Sequence, residues 1–150
     1  MPKFETRRRV PYTPAEMYAL VADVESYPEF LPLCEGLDVQ SREPHGTGEV
    51  LHAEMRVGYQ MIRERFTTQV TLDPTAPEVL AEHLEGPFTH LTNRWRFHPA
   101  GTGCEVDFHI DYAFKNMMLQ MLVGGMFEQA FRKFADAFEQ RARETYGPRA

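Results

Sequence analysis

The sequence has 150 residues, 43% of them apolar and 25% charged, and a formal net charge of -6 at pH 7. This composition is typical of one soluble, ordered domain, and its acidic balance makes free DNA an unfavourable partner. The longest apolar run, Met117 to Phe127, has 11 residues, fewer than the roughly 17–25 that cross a bilayer as a helix. We therefore predict a single globular domain over residues 1–150.

The chain begins with a pattern typical of an edge strand followed by a short helix. Two alternating sets of side chains run from Lys3 to Val10, as on a strand at the edge of a sheet. Thr13 and Glu16 flank Pro14 in the spacing of a capping box, which predicts that a helix begins at this proline. Prolines recur between Tyr27 and Gly36, so this segment is predicted to be a loop with a single helical turn.

A period of two residues replaces the helical period between Leu37 and Phe114, which predicts about six further strands. Turns are predicted at Gly58–Tyr59, Pro74–Pro77, Gly86–Pro87 and Pro99–Gly103. Because no helix separates these strands, the sheet is predicted to be antiparallel, with one face covered by a helix. A strand, short helices, a run of strands and a final helix make an α+β fold.

The last predicted element is one long helix from Asn116 to Tyr146. Its first third is apolar nearly all the way round, whereas the part from Glu128 onward is amphipathic. We therefore expect a cavity against the start of this helix and ordinary core packing after Glu128. The residues predicted to face the sheet recur at steps of three and four: Leu119, Val123, Phe127, Ala130, Phe131, Phe134, Phe138 and Ala142.

The sequence offers no arrangement of residues that predicts catalysis or metal binding. Six histidines are scattered without HxxxH or HExxH spacing, and neither GxSxG nor a glycine-rich phosphate loop occurs. Cys34 and Cys104 lie far apart, and we predict that both are reduced and buried. The strand pattern places His83 inward with Val79 and Ala81, either as a core histidine or as a polar anchor in a cavity.

Three parts of the sequence carry a family resemblance. They are the segment VADVESYPEFLPLC from Val21 to Cys34, then Gly86, Pro87, Phe88, Leu91, Trp95 and Phe97, and finally Ala137, Phe138, Glu139, Arg141 and Ala142. Together they resemble the coenzyme Q-binding protein family, which includes the bacterial ribosome-association toxin A. The resemblance spans Phe4 to Arg143. It implies one START-like lipid-binding domain with the helix-grip fold, in which a curved antiparallel sheet of about seven strands wraps around a long C-terminal helix.

The resemblance implies that the chain carries ubiquinone or a related polyprenyl lipid in an apolar tunnel between sheet and helix. It would act as a non-enzymatic carrier or chaperone that supports respiratory electron transport, with the lipid as ligand and no other cofactor. The loops around Phe30 and Phe88 and the start of the last helix are predicted to frame the tunnel. The predicted ligand-binding residues are Tyr27, Phe30, Leu31, Pro32, Met55, Val57, Phe66, Phe88, Leu91, Trp95, Phe108, Leu119, Leu122, Val123 and Phe127.

Two other functions are kept as alternatives. The first is a toxin-like inhibitor that binds the large ribosomal subunit and blocks subunit association. It would meet rRNA phosphates through arginines on the outer face of the sheet, namely Arg7, Arg8, Arg9, Arg63, Arg65, Arg94 and Arg96. The second is a polyketide cyclase-like enzyme, which no acid/base set in the sequence supports.

A carrier of an insoluble lipid must also collect its ligand. Met117, Met118, Met121, Met126 and Phe127 are predicted to make peripheral contact with a membrane. The sequence shows no mitochondrial transit peptide, which favours a cytoplasmic protein that works at the inner face of the membrane.

Overall fold

The computed structural model describes residues 3–59 and 61–149. The described residues form seven strands, two α-helices and one 3₁₀ helix. The strands are β1 (Lys3–Val10), β2 (Cys34–His45), β3 (Gly48–Tyr59), β4 (Ile62–Asp73), β5 (Glu78–Glu85), β6 (Phe88–Ala100) and β7 (Gly103–Phe114). The helices are α1 (Pro14–Ala22), the 3₁₀ helix (Val24–Glu29) and α2 (Met117–Tyr146).

The seven strands form one antiparallel sheet in the order β1-β7-β6-β5-β4-β3-β2. Neighbours from β2 to β7 follow one another along the chain, and β1 closes the order by pairing with β7. Irregular pairing at Cys34–Gly36, Val39–Ser41, Thr67–Thr68 and Phe88–His90 interrupts the ladder. Bulges of this kind bend strands and increase their twist, and they help to curve the sheet around α2. The predicted α+β architecture is confirmed.

The local signals before the sheet work as expected. The Thr13 hydroxyl accepts a hydrogen bond from the Glu16 backbone at 3.1 Å, and the Glu16 carboxylate accepts one from the Thr13 backbone at 2.9 Å. The predicted helical turn is the 3₁₀ helix, which begins three residues before Tyr27 and contains Pro28. Strand β2 begins at Cys34, earlier than predicted, because a bulge after this residue lets pairing with β3 start directly behind the loop.

Helix α2 lies along the inner face of the sheet. Asn116 caps its start by accepting a hydrogen bond from the Leu119 backbone at 2.9 Å, and Gly147 ends it at φ 87°. The inward stripe is buried or half-buried as predicted. Phe138 stands edge-on to the rings of Tyr27 and Trp95, with centroids 5.3 and 5.0 Å away. These aromatic contacts hold the helix to the sheet.

Two further predictions concern thiols and turns. Cys34 and Cys104 are both free and buried, which confirms their predicted state. The predicted hairpin between β3 and β4 exists, but Gly58 and Tyr59 are the last residues of β3 and do not form its turn. Because Tyr59 still pairs with Ile62, β3 continues through Gly58 and Tyr59 before the chain reverses.

Candidate functional site

A cavity lies between the inner face of the sheet and the middle of α2. The space between its atoms, including its opening to solvent, is about 850 Å³, and the part that the centre of a water molecule can occupy is about 70 Å³. The smaller volume decides what can enter without rearrangement. The lining residues are Val24, Tyr27, Leu31, Pro32, Leu33, Leu37, Ala53, Met55, Val57, Phe66, Thr68, Val70, Val79, Ala81, Leu91, Asn93, Trp95, Ile110, Phe127, Ala130, Phe131 and Phe134.

Strand alternation builds the floor of this cavity. Every second residue of a strand points to the same face, so β3 to β7 each contribute inward side chains. Ala53 on β3 and Ala81 on β5 are small residues in the middle of this floor. The aromatic rings of Phe127, Phe131 and Phe134 on α2 form the opposite wall. Small residues facing large ones across the layer leave space that the rings do not fill.

Few polar groups reach the cavity. The Tyr27 hydroxyl donates a hydrogen bond to the backbone oxygen of Val21, and burial raises the pKa of this phenol. The Trp95 indole donates to the Asn93 side-chain oxygen at 3.1 Å. Thr68 adds a hydroxyl on β4. The cavity is therefore an apolar space with a small number of hydrogen-bonding positions.

The cavity meets the protein surface beside the loop that precedes β2. Pro32, Leu33 and Ala130 line both the cavity and an outer groove, which Met126 and Lys133 on α2 also border. Leu33 has φ 67°, a left-handed conformation that costs a residue with a Cβ atom roughly 1–2 kcal/mol. Its backbone oxygen accepts a hydrogen bond from the Gly58 backbone at 3.0 Å. We call the gap between Leu33 and Ala130 the mouth.

Nine of the fifteen predicted ligand-binding residues line the cavity: Tyr27, Leu31, Pro32, Met55, Val57, Phe66, Leu91, Trp95 and Phe127. Their contact with a ligand stays a prediction. The loop before β2 folds under the sheet edge next to α2, and it therefore brings Tyr27, Leu31 and Pro32 into the cavity lining. The other six predicted residues do not line the cavity.

Buried contacts explain four of those six positions. Phe30 packs edge-on against Phe138, with ring centroids 5.1 Å apart. Phe88 begins β6 and is not at the tip of a loop; its ring packs edge-on against Phe66 and Phe127, with centroids 5.4 and 5.6 Å away. Phe108 lies under Trp95 at 4.5 Å. Val123 is also buried away from the cavity.

The last two positions correct the expected place of the cavity on α2. Leu122 is 63% exposed and Leu119 is half-buried outside the lining. The start of the helix is apolar on all sides, but a helix packed against one layer buries only the face toward that layer. Its outer face carries Met117, Met118 and Met121, which are 75%, 70% and 81% exposed. The cavity instead lies against the part of the stripe that was predicted to be ordinary core.

Several lining residues were not predicted from the sequence. The polar residues Thr68 and Asn93 and the small residues Ala53 and Ala81 occupy inward positions of strands whose alternation is clear. A polar or small residue at an inward position was the available signal. Asn93 shares the alternation of Trp95, so the pattern places it on the inner face of the sheet. The pattern does not indicate that Asn93 lines a cavity.

His83 lies on the inner face of the sheet but does not line the cavity. Its ring stands edge-on to Phe88, with centroids 5.4 Å apart. Its Nε2 atom is buried and has no hydrogen-bond partner among the residues that the structure describes. Burial, with a smaller contribution from Lys115, lowers the pKa of the imidazole. His83 is therefore a half-buried histidine beside the aromatic wall, and neither predicted role describes it.

The arginines proposed to face the ribosome do not form one continuous basic surface. Arg94 and Arg96 both pair with Glu78, at 3.0 and 3.4 Å, while Arg7 lies 3.8 Å from Asp107. Arg8 belongs to the other side, because it reaches α2 and pairs with Asp136 and Glu139 at 2.6 and 3.0 Å. Acidic neighbours thus break up the positive charge of this surface.

Within residues 3–59 and 61–149, no group of three or more His, Cys, Asp and Glu side chains is placed to hold a metal ion. Over the same described ranges, no helix is long and apolar enough to span a bilayer.

Comparison with known proteins identifies the family. Residues 10–139 match the family described as polyketide cyclase / dehydrase and lipid transport. The chain belongs to this family. The match runs from the last residue of β1 to about three quarters of the way along α2, and therefore covers the whole cavity.

Relatives of this chain carry two kinds of name. The ribosome association toxin RatA of Escherichia coli strain K12 is 35% identical over 99% of this chain and 92% of its own length. The mitochondrial coenzyme Q-binding protein COQ10 of Drosophila melanogaster is 30% identical over 97% of this chain but 60% of its own length. The resemblance to coenzyme Q-binding and ribosome-association proteins is confirmed.

A solved structure of another protein has the same fold as this chain. The solution structure of the 18 kDa protein CC1736 from Caulobacter crescentus is 34% identical, with a TM-score of 0.79, and covers 99% of this chain and 100% of that one. The helix-grip arrangement predicted from the sequence is confirmed.

Proposed function

We propose that the protein binds ubiquinone or a related polyprenyl lipid in the cavity and acts as a non-enzymatic carrier that supports respiratory electron transport. The observation that carries this proposal is the apolar space between the sheet and residues Phe127 to Phe134 of α2, with a mouth at Leu33. Small-molecule sites have this character, with mostly apolar walls and few polar groups. The family's lipid-transport description and the coenzyme Q-binding relative support the same ligand class.

The size of the cavity adds a condition to this proposal. Ligand pockets have volumes of roughly 300–1,000 Å³, well above the 70 Å³ open to water-sized centres here. A lipid therefore enters only if the lining moves apart. Met55 in the floor and Met126 at the mouth suit such movement, because methionine side chains adapt to irregular shapes at low cost.

The polar groups of the cavity support binding rather than catalysis. General acid/base catalysis needs a side chain that exchanges a proton near the working pH. Thr68 and Asn93 do not titrate, and the raised pKa of Tyr27 keeps its hydroxyl protonated at neutral pH.

The test is to purify the protein from a quinone-producing host, extract it with solvent and identify bound lipid by mass spectrometry. Ala81→Phe fills the floor of the cavity and should remove the lipid. Leu80→Phe is the matched control, because Leu80 is the preceding residue of β5 and lies on its opposite face. Overpacking costs about 1–3 kcal/mol, so urea unfolding must show that Ala81→Phe remains folded.

Lipid in the wild type and in Leu80→Phe, but not in Ala81→Phe, is the expected result. A wild-type protein without lipid contradicts the proposed function. Equal lipid in both variants places the ligand elsewhere.

The outer face of the start of α2 supports contact with a membrane. Met117, Met118, Met121 and Leu122 present apolar surface to solvent, and Met61 in the β3–β4 turn is 94% exposed. No acidic residue occurs between positions 112 and 127, so this surface can approach anionic lipid without repulsion. The proposed carrier thus works as a peripheral protein at the inner face of a membrane.

Flotation with liposomes that contain anionic lipid tests this contact. Met118→Asp should reduce the bound fraction several-fold, because a charge then replaces an inserting side chain. Thr102→Asp, in the exposed β6–β7 turn, adds the same charge away from the surface and should bind like the wild type. Equal flotation of both variants would argue against membrane contact through α2.

A second candidate function is binding to the large ribosomal subunit and inhibition of subunit association. The identity to the ribosome association toxin over nearly the full length of both proteins favours it. The dispersed charge of the outer sheet face does not. Sedimentation of ribosomes with added protein at two salt concentrations decides: a smaller monosome fraction, with the effect weakening as salt rises, supports this function, and an unchanged profile removes it.

A further inference from the structure

Two polar side chains occupy the apolar floor of the cavity in a definite spatial relation. Thr68 lies on β4 and Asn93 lies on β6, with β5 between them. Ala81 on β5 pairs with Asn93 on one side and with Val70, two residues from Thr68, on the other. Two strand spacings of about 4.8 Å place the strands that carry the two polar residues about 10 Å apart. The methyl group of Ala81 leaves the space between them open.

The hydrogen bonds of Asn93 fix its orientation. The Trp95 indole nitrogen donates to its side-chain oxygen at 3.1 Å, and its side-chain nitrogen donates to the backbone oxygen of His109 at 3.0 Å. Because an indole nitrogen can only donate, the amide cannot be reversed without losing both bonds. An amide nitrogen carries two hydrogens, so one remains available toward the cavity.

The hydroxyl of Thr68, unlike the amide of Asn93, is not held by hydrogen bonds. It makes no hydrogen bond to any residue in the described part of the chain, and its oxygen is not among the deeply buried unpaired atoms. Thr68 is half-buried and lines the cavity. A hydroxyl in an apolar environment loses free energy unless it gains a partner, so it favours a ligand that brings an acceptor.

The position of the pair relative to the mouth gives the ligand a direction. Thr68 pairs with Ala53 on β3, whereas the backbone of Gly58, five residues further along β3, bonds to Leu33 at the mouth. Five strand residues span roughly 16 Å. The hydrogen-bonding end of a ligand at Thr68 would therefore lie deep in the cavity, with its apolar part extending toward Leu33.

We infer that Thr68 and Asn93 bind the two carbonyl oxygens of a quinone ring that lies over Ala81, with the isoprenoid tail directed to the mouth. This inference rests on the proposed function and narrows its ligand to a lipid with oxygen acceptors on opposite sides of a ring. Each site group donates one hydrogen bond and each carbonyl accepts one. A polyprenyl hydrocarbon gains neither bond.

The test compares two probes with the same short tail of two isoprene units, a ubiquinone and a hydrocarbon in which a toluene ring replaces the quinone. Thr68→Val removes the hydroxyl with little change in shape, and Thr68→Ser keeps it. We expect Thr68→Val to weaken binding of the quinone about 5- to 15-fold, as the loss of one hydrogen bond predicts. Binding of the hydrocarbon should be unchanged, and Thr68→Ser should behave like the wild type.

Infrared spectra of the bound quinone provide a second measurement that a merely structural role would not change. A hydrogen bond lowers a carbonyl stretching frequency, so one of the two carbonyl bands should shift upward in Thr68→Val and stay in place in Thr68→Ser.

Equal losses for quinone and hydrocarbon, or no loss for either, would overturn the inference while the proposed function stands. A wild type that binds both probes equally well would also overturn it. A wild type that binds neither probe would contradict the proposed function itself. Urea unfolding of Thr68→Val confirms that the folded state is retained.

Discussion

The two parts of α2 use the same kind of residue for opposite purposes. From Met117 to Met126 the helix buries Val123 against the sheet but exposes methionines and a leucine on its outer face. From Phe127 to Ala142 it exposes charged residues and buries an aromatic stripe, part of which forms the cavity wall. Apolar composition alone therefore does not locate a cavity; the cavity lies where an apolar face meets small residues across the layer.

The largest expected loss of stability comes from a substitution that disrupts the packing of the second part of α2. Phe138 is 1% exposed and contacts the rings of Tyr27, Phe30 and Trp95. Phe138→Ala should lower the free energy of unfolding by about 3–5 kcal/mol, because it removes buried area and leaves a hole. Met121→Ala, in the first part, should change it by less than about 0.5 kcal/mol. Urea unfolding measures both, and similar losses would remove the distinction between the two parts.

A smaller effect concerns the neighbouring glycines in the first part. A methyl group on Gly125 would meet no atom within 4 Å, whereas one on Gly124 would meet the side-chain amide of Gln120. Gly125→Ala should therefore stabilise the protein by about 0.5–1 kcal/mol through helix propensity. Gly124→Ala should gain less, since Gln120 must move.

Urea unfolding of the two glycine variants tests this order of stability. A loss of stability in Gly125→Ala would show that the helix needs flexibility at this point for its folded shape.

The smallest effect is a pH dependence where the two parts of the helix meet. Phe127 packs on Phe88, which packs on His83. Because the pKa of His83 is lowered by burial, the unfolded chain binds its proton more readily than the folded protein. This contribution to stability is complete above about pH 6.5 and is lost as the pH falls from there to the lowered pKa.

The loss at His83 should be smaller than the effects of the preceding variants, since the ring is only half-buried. Urea midpoints at pH 7.5 and 5.5 should differ less in His83→Phe than in the wild type. His98→Gln removes an exposed histidine and should keep the wild-type difference. A wild-type pH dependence in His83→Phe would assign the loss to other groups.

The sequence predicted the fold because its signals are local. The capping box at Thr13, the alternation in the strands and the stripe on α2 each depend on residues that are near in sequence. The family segment from Val21 to Cys34 then identified the loop that forms the mouth.

Local signals in the sequence could not predict which part of α2 borders the cavity. Periodicity shows which face of a helix is buried, but a void depends on what lies across the layer. Phe131 became a wall residue because Ala53 and Ala81, more than 40 residues away in sequence, leave space opposite it. Leu122 was misplaced for the related reason that an apolar residue on the outer side of a helix has no signal of its own.

The left-handed backbone of Leu33 gives the mouth a kinetic property. The strain of this residue is present only while the hydrogen bond from Gly58 and the packing of the loop hold it in place. Opening the loop would release that strain, so we expect the barrier to opening of the mouth to be lower than the contacts alone would set. For the proposed lipid, we therefore expect Leu33 to influence the rate of release and the floor of the cavity to set the affinity.

The neighbouring Cys34 reports this motion. Burial raises the pKa of both Cys34 and Cys104 to about 11, so neither thiol reacts readily in the closed state. Cys34 should react with a maleimide at the rate of mouth opening, and Cys104 only at the much slower rate of global unfolding; equal rates would contradict local opening. The rate for Cys34 therefore measures how often the mouth beside Leu33 opens.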